Sequence, residues 1–481
     1  MRKSIFKAVL LISAILFVSC RKIDFFKDDA ASSTRYYANL FAYNIMSGYY
    51  LWNEEIGSQL SKWALTDDPV QTVEAIRYKE ADGTPVDRWT ALMEDYSSFL
   101  QTVTGNGKTY GFEFVLQYTD ASRNNICAIV TFTYENSPAS KAGLKRGDVI
   151  LYVDGTAMTP DNYYDMLSEK IYDNPTSIKL GLYGGDTISM TATDMYSNPV
   201  NVVKTLDAGG KKTGYLHFSG FTREAAGDLI EAFRTFKEEE IEELILDLRY
   251  NNGGYNTTCQ ILASMIAPIS VVQDGAIFNK SIYNKDLQDE MEEDECFALE
   301  YTFKEDGEDV TYKPGEVNIS LPRLWVIATG HSASASESLI CGLKPYMDVT
   351  LVGSTTYGKF CGGYLISASS WYTAVKESEK VTIDAQDGLE KTAGWGIYVI
   401  ASRYADCNGV TLSMPSGIPA DVEVRDAPRD GYELGDPEET MLAATLSLIE
   451  GKPVTASYGK RLAGEVATIP FEKPGSGALI W

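Results

Sequence analysis

The chain has 481 residues, enough for about three domains, and its 44% hydrophobic and 23% charged residues exclude a mostly disordered polypeptide. Its net charge of −25, from 42 basic and 67 acidic side chains, argues against nucleic acid as a partner, because phosphate binding needs a basic face. Only two histidines occur, His217 and His331, so no HExxH motif can be written and a His-rich zinc site is nearly excluded; neither a metal nor an organic cofactor is expected.

Residues 1–19 read as a leader. Arg2, Lys3 and Lys7 precede an apolar run from Ala8 to Val18 that is too short to span a bilayer but suits the centre of a secretory signal. Ser19-Cys20 resembles the bacterial lipoprotein signal, in which the cysteine carries the lipid, although Phe17 stands where leucine is usual. The resemblance implies a lipid anchor at Cys20 and a place in the bacterial cell envelope, with the outer membrane expected and its periplasmic or surface side left open. One acyl chain anchors weakly, so stable attachment takes several. Residues 20–34 read as a polar tether. Residues 35–107 predict a helical region: Tyr36, Leu40, Tyr43, Tyr50 and Leu51 share one face, and Trp89, Leu92, Met93, Tyr96, Phe99 and Leu100 mark a second amphipathic helix.

A β-rich stretch follows. Ile126–Phe132 and Val149–Val153 read as strands, the second after a Gly147-Asp148 turn. Within it, SPASKAGLKRGDVILYVDGTAM (137–158) resembles the centre of a PDZ domain of the bacterial protease type. That resemblance implies a PDZ domain over 108–198 with YGFEF (110–114) as its peptide-receiving loop and strand. Tyr110, Gly111 and Phe112 would then meet a substrate, with backbone N–H groups facing a peptide carboxylate and the strand edge pairing with its backbone.

From Gly214 strands and helices alternate, which implies an α/β body. ELILDL (243–248) suits a strand buried on both sides, and Leu324–Ala328 and Val349–Val352 are two more. The acidic run 286–295 reads as a solvent-facing insertion. Three segments carry chemistry. LDLRYNNGG (246–254) places Gly253 and Gly254 between a strand and a helix, where exposed N–H groups could hold an oxyanion. GHSASASES (330–338) is a turn of small residues presenting a serine at a helix N-terminus, where helix-capping is the competing role. STTYGKF (354–360) offers Lys359 after the strand VTLVG.

Together GHSASASE, LVG, YGK and LDLRYNNGG closely resemble the C-terminal processing (tail-specific) serine peptidases of the S41 type. The C-terminal SGIPADVEVRD (416–426) and LGDPEETMLAATLSLI (434–449) are similar to that family's closing strand and helix. YYLWNEEI (49–56) is similar to the helical part of envelope homologues from the Bacteroides group. The resemblance implies an α/β protease core over 199–450, related to the crotonase and Clp protease folds, with an inserted PDZ domain and a C-terminal extension over 451–481. It makes Ser334 the nucleophile and Lys359 its base, with an oxyanion hole from Ala335 and Gly253 or Gly254. The implied function is a serine endopeptidase acting on unstructured protein tails through an acyl-enzyme. A lysine near its ordinary pKa of about 10.4 is almost never neutral at pH 7, so such a base needs a dry pocket.

The family's glutamine four residues after the lysine is Gly363 here, and the glutamate of its VGE segment is Ser354. Either another group holds Lys359, or the chain is a catalytically impaired envelope protein that binds peptides on a degenerate protease scaffold. A different acyl hydrolase on the same scaffold is a weaker third reading. His331 and His217 read as non-catalytic. Cys127, Cys259, Cys296, Cys341, Cys361 and Cys407 are scattered, without CxxC pairs, and Cys341 and Cys361 read as buried thiols.

Overall fold

A computed structural model describes residues 33–63, 68–97, 99–100, 106–172, 175–291, 294–305, 308–377, 384–412, 414, 416–454 and 468–469. The expected leader, Cys20, almost all of the tether and most of the C-terminal extension lie outside these residues.

Helix α1 (Thr34–Gly48) begins at Ser33, whose hydroxyl accepts the Tyr36 N–H at 3.2 Å, a conventional N-cap. It buries Leu40, Phe41 and Ile45, with Phe41 against Trp371. The second expected amphipathic helix is a correction. Ala91–Met93 is a strand (β1) paired antiparallel to residues 396–398, and helical turns appear only at 96–97 and 99–100. The apolar spacing fits a helix locally, but a neighbouring sheet edge takes these backbone groups and outweighs the local preference.

Strands β2 (Phe112–Tyr118), β3 (Ile126–Thr133), β4 (Val149–Val153), β5 (Ser177–Leu182) and β6 (Thr187–Thr191) form an antiparallel sheet in that order. A short helix, α2 (Pro138–Lys141), is capped by Ser137. Gly143 and Gly147, at φ +85° and +87°, turn the chain from α2 into β4. Leu116, Val130, Leu144, Ile150 and Leu180 fill a core separate from that of the α/β body.

The α/β body is a six-stranded sheet. β7 (Val200–Ala208) pairs antiparallel with β8 (Lys211–Phe218), and then β9 (Glu243–Asp247), β11 (Arg323–Ala328), β12 (Asp348–Gly353) and β15 (Val422–Glu423) continue in parallel. Every residue of β9 is buried, and alternate side chains explain why. Leu244 and Leu246 pack with helices α3 (Ala225–Glu238), α4 (Asn256–Ile266) and α5 (Ala335–Leu343). Ile245 faces the other way, towards α6 (Thr440–Ile449) with Met441 and Leu442. Each such buried aliphatic side chain contributes about 1.5–3 kcal/mol.

A second sheet closes the site from above. Its central strand β14 (Gly396–Ala405) pairs with β13 (Cys361–Ser367) along one side, and with β1 and β10 (Ile277–Tyr283) in succession along the other. Far along the chain, a two-residue strand, β16 (Thr468–Ile469), pairs antiparallel with β2.

Candidate active site

Ser334 ends the turn between β11 and α5, and that turn is tied down bond by bond. Ser332 accepts the Thr329 N–H at 3.0 Å and donates to the Leu248 carbonyl at 2.8 Å. The Asn251 carbonyl accepts from the Ala333 N–H and from the Ser336 hydroxyl, each at 3.0 Å. The result is a backbone at Ser334 with φ +60° and ψ −112°, a conformation costing about 1–3 kcal/mol that persists only where its surroundings impose it. Ser334 is fully buried, and its Oγ has no hydrogen-bond partner among the described residues.

Glu337 is the residue that the sequence reading missed. Its Oε2 accepts the N–H of Ser334 and the N–H of Lys359, both at 2.9 Å. Its Oε1 accepts the Gly358 N–H at 2.7 Å and the Thr356 hydroxyl at 2.5 Å. One carboxylate oxygen thus draws the backbones of residues 334 and 359 together. The Tyr404 hydroxyl does the same from the carbonyl side, 3.1 Å from the Ser334 oxygen and 3.0 Å from that of Lys359. Burial pushes the Glu337 carboxyl above its usual range, against the pull of its four donors. The Ser-x-x-Glu spacing of a capping box was the available signal.

Lys359 is fully buried, where an ionic charge is costly. Its Nζ lies 3.3 Å from the Tyr398 hydroxyl, 5.1 Å from the centre of the Trp89 ring and 5.2 Å from that of Tyr398. Gly363 explains the missing glutamine. A Cβ there would stand 2.4 Å from the Val399 carbonyl oxygen and 3.0 Å from the Tyr398 ring. Tyr398 therefore occupies the space that a side chain at 363 would need.

Of the two glycines offered for an oxyanion hole, one is corrected. The Gly253 N–H donates to the Asn251 side chain at 2.9 Å and is spent. The N–H groups of Gly254 and Ala335 have no acceptor among the described residues. Gly253 matters through its shape: φ is +105°, and a Cβ would come within 2.8 Å of the Ser334 Cβ.

In the β-rich module Tyr110 and Phe112 are buried in its core, and Gly111, at φ +75°, packs where a Cβ would meet that of Ser137 at 2.3 Å. The Gly111 N–H donates to the Thr109 hydroxyl at 3.1 Å. His217 is packed against Phe132, its imidazole pushed down to about 4 by burial. Burial also lowers His331. The six described cysteines are free thiols, and burial pushes Cys361 up to about 12.

A buried charge cluster adjoins the site. Arg249 donates to both oxygens of Asp247 and both of Glu439, and reaches Asp426 at 3.2 Å. Arg146, from the β-rich module, meets Asp426 at 3.1 Å, Glu439 at 3.4 Å and the Tyr250 hydroxyl at 3.0 Å. Tyr250 in turn donates to Asp426.

A strained serine at a helix N-terminus and a buried lysine, their backbones joined by one carboxylate oxygen, thus follow neighbouring strands of a parallel sheet. Residues 212–424 match the model of Peptidase family S41. The chain is 25% identical over 271 residues to a carboxyl-terminal-processing protease of Synechocystis sp., covering 55% of this chain and 56% of that protein. It is 26% identical over 236 residues to the carboxy-terminal processing protease CtpB of Bacillus subtilis, covering 48% of this chain and 44% of that one. The chain thus spans about half the length of these curated relatives. A crystal structure from Bacteroides fragilis, provisionally assigned as an S41 protease, has the same fold, with a TM-score of 0.60 and 20% identity over 85% of this chain and 97% of the other.

Proposed function

We propose that this chain is a serine endopeptidase of the C-terminal processing type, with Ser334 as nucleophile and Lys359 as general base. The observation that carries the reading is the shared Glu337 oxygen, which binds the backbone N–H of both residues. Lys359 takes the Ser334 hydroxyl proton as Oγ attacks the scissile carbonyl. The Gly254 and Ala335 N–H groups receive the oxyanion, assisted by the α5 dipole. Collapse breaks the C–N bond, and the lysine gives its proton to the leaving amine. Water then attacks the acyl-enzyme and returns Ser334 to its resting state. Tyr398 and Trp89 orient the amine in place of the absent glutamine, which favours an active enzyme over a degenerate binder.

In this reading the β-rich module is a PDZ domain that receives extended peptide tails along β2, beside Tyr110, Gly111 and Phe112, and a lipid on Cys20 holds the protein in a bacterial envelope. A fluorophosphonate probe tests the chemistry. Labelling of the wild type, lost in Ser334→Ala and reduced by at least about a thousandfold in rate in Lys359→Ala, is expected. A folded wild type that takes no label is instead a peptide-binding protein.

A further inference from the structure

One strand of the β-rich sheet comes from far outside it. β16 adds to the outer side of β2, with Thr468 opposite Gln117 and Ile469 opposite Leu116. Without it β2 is an edge strand with a row of unpaired N–H and C=O groups, the kind of edge that accepts another chain. Ile469 is 7% exposed and belongs to the module's own core with Leu116 and Ile126. The contact is therefore a backbone pairing and a side-chain plug at once. Ile469 also lines a cavity of about 50 Å³ whose other walls include Phe114 of β2 and Tyr250, Asn252 and His331 from the loops that build the serine site. The place it holds lies between the peptide edge and the catalytic turn.

We propose that Thr468–Ile469 is an internal occupant of the β2 edge, a strand that an incoming peptide must displace before it can pair there. The proposal rests on the reading of β2 as a peptide-docking strand. The matching external ligand is an extended peptide placing an aliphatic side chain opposite Leu116, since main-chain bonds accept any sequence and the buried side chain selects. A tethered strand competes at an effective concentration in the millimolar range, and the pairing among the described residues is two residues long.

The test uses the full chain, its Ile469→Asp variant and a milder Ile469→Ser variant. Two quantities are read: amide hydrogen exchange across 112–118, and binding of a fluorescein-labelled synthetic peptide copying residues 464–473. Exchange in β2 faster by about tenfold or more in the variants, with at least about tenfold tighter peptide binding, is expected. Unchanged exchange overturns the proposal, and equal peptide binding to all three proteins then leaves the docking reading intact. Faster exchange without a gain in binding overturns the competition, and if no protein binds the peptide the docking reading falls with it.

Discussion

On one side of the loop 248–254, Arg146 and Arg249 meet Asp247, Asp426 and Glu439. On the other, Glu337 faces four neutral donors, and the Ser334 Oγ has no hydrogen-bond partner among the described residues. Both clusters are buried, and their carboxyls respond in opposite senses. Burial pushes Asp247 and Asp426 up, but the arginines pull harder and hold both below the usual carboxylate range. At Glu337 burial prevails, and the carboxyl rises. A cluster in which every carboxylate meets an arginine is architecture: it locks the β-rich module and α6 to β9 through Arg146 and Glu439. In the proposed function the second cluster is the reactive one, because its serine hydroxyl is left for a substrate to engage.

The compensated side should break the more expensively. Arg146→Met removes one of two cations facing Asp426 and Glu439, and urea unfolding should show a loss of about 3–5 kcal/mol. A loss under 1 kcal/mol would mean that Asp426 and Glu439 do not depend on Arg146 as described. The reactive side should break in rate instead. Gly253→Ala drives a methyl group towards the Ser334 Cβ at a backbone angle that alanine resists, so peptide turnover should fall by about a hundredfold or more. The fold itself should persist, judged by circular dichroism.

How far the sequence foretold these two clusters depends on where their parts lie in the chain. Ser334 and the glycine loop were legible because each sits in one short segment with a physical signature: small residues before a helix, glycines after a strand. Glu337 lay within the same segment and went unread, because its role is to collect N–H groups from a loop 22 residues on. Tyr398 could not be read at all. It reaches Lys359 from β14, 39 residues away, and only the steric exclusion of a side chain at Gly363 connects the two. The alternation of strands and helices was clear from burial patterns, whereas β1 was mistaken because three residues cannot show a period of two.

His217 adjoins the arginine-paired cluster and sharpens the contrast by titration. Its folded-state value of about 4 lies below the roughly 6.5 of an unfolded chain. The stabilisation is therefore complete above about pH 6.5 and drains away as pH falls towards 4, because the unfolded chain takes up the proton first. Against His217→Gln, wild-type unfolding free energy should drop by an additional amount of about 3 kcal/mol across that window. Parallel curves for the two proteins would show that the imidazole does not remain neutral in the fold.

The smallest effect concerns the lysine. Tyr398→Phe keeps the ring face 5.2 Å from the Lys359 Nζ and removes only the hydroxyl at 3.3 Å. If that hydroxyl orients the amine, kcat should fall by about tenfold with KM and melting temperature unchanged, the signature of a positioning residue. Adding Gly363→Gln to the wild type should not improve on this, since a Cβ there meets a carbonyl oxygen at 2.4 Å. Equal kcat in Tyr398→Phe would show that this hydroxyl does not orient the amine.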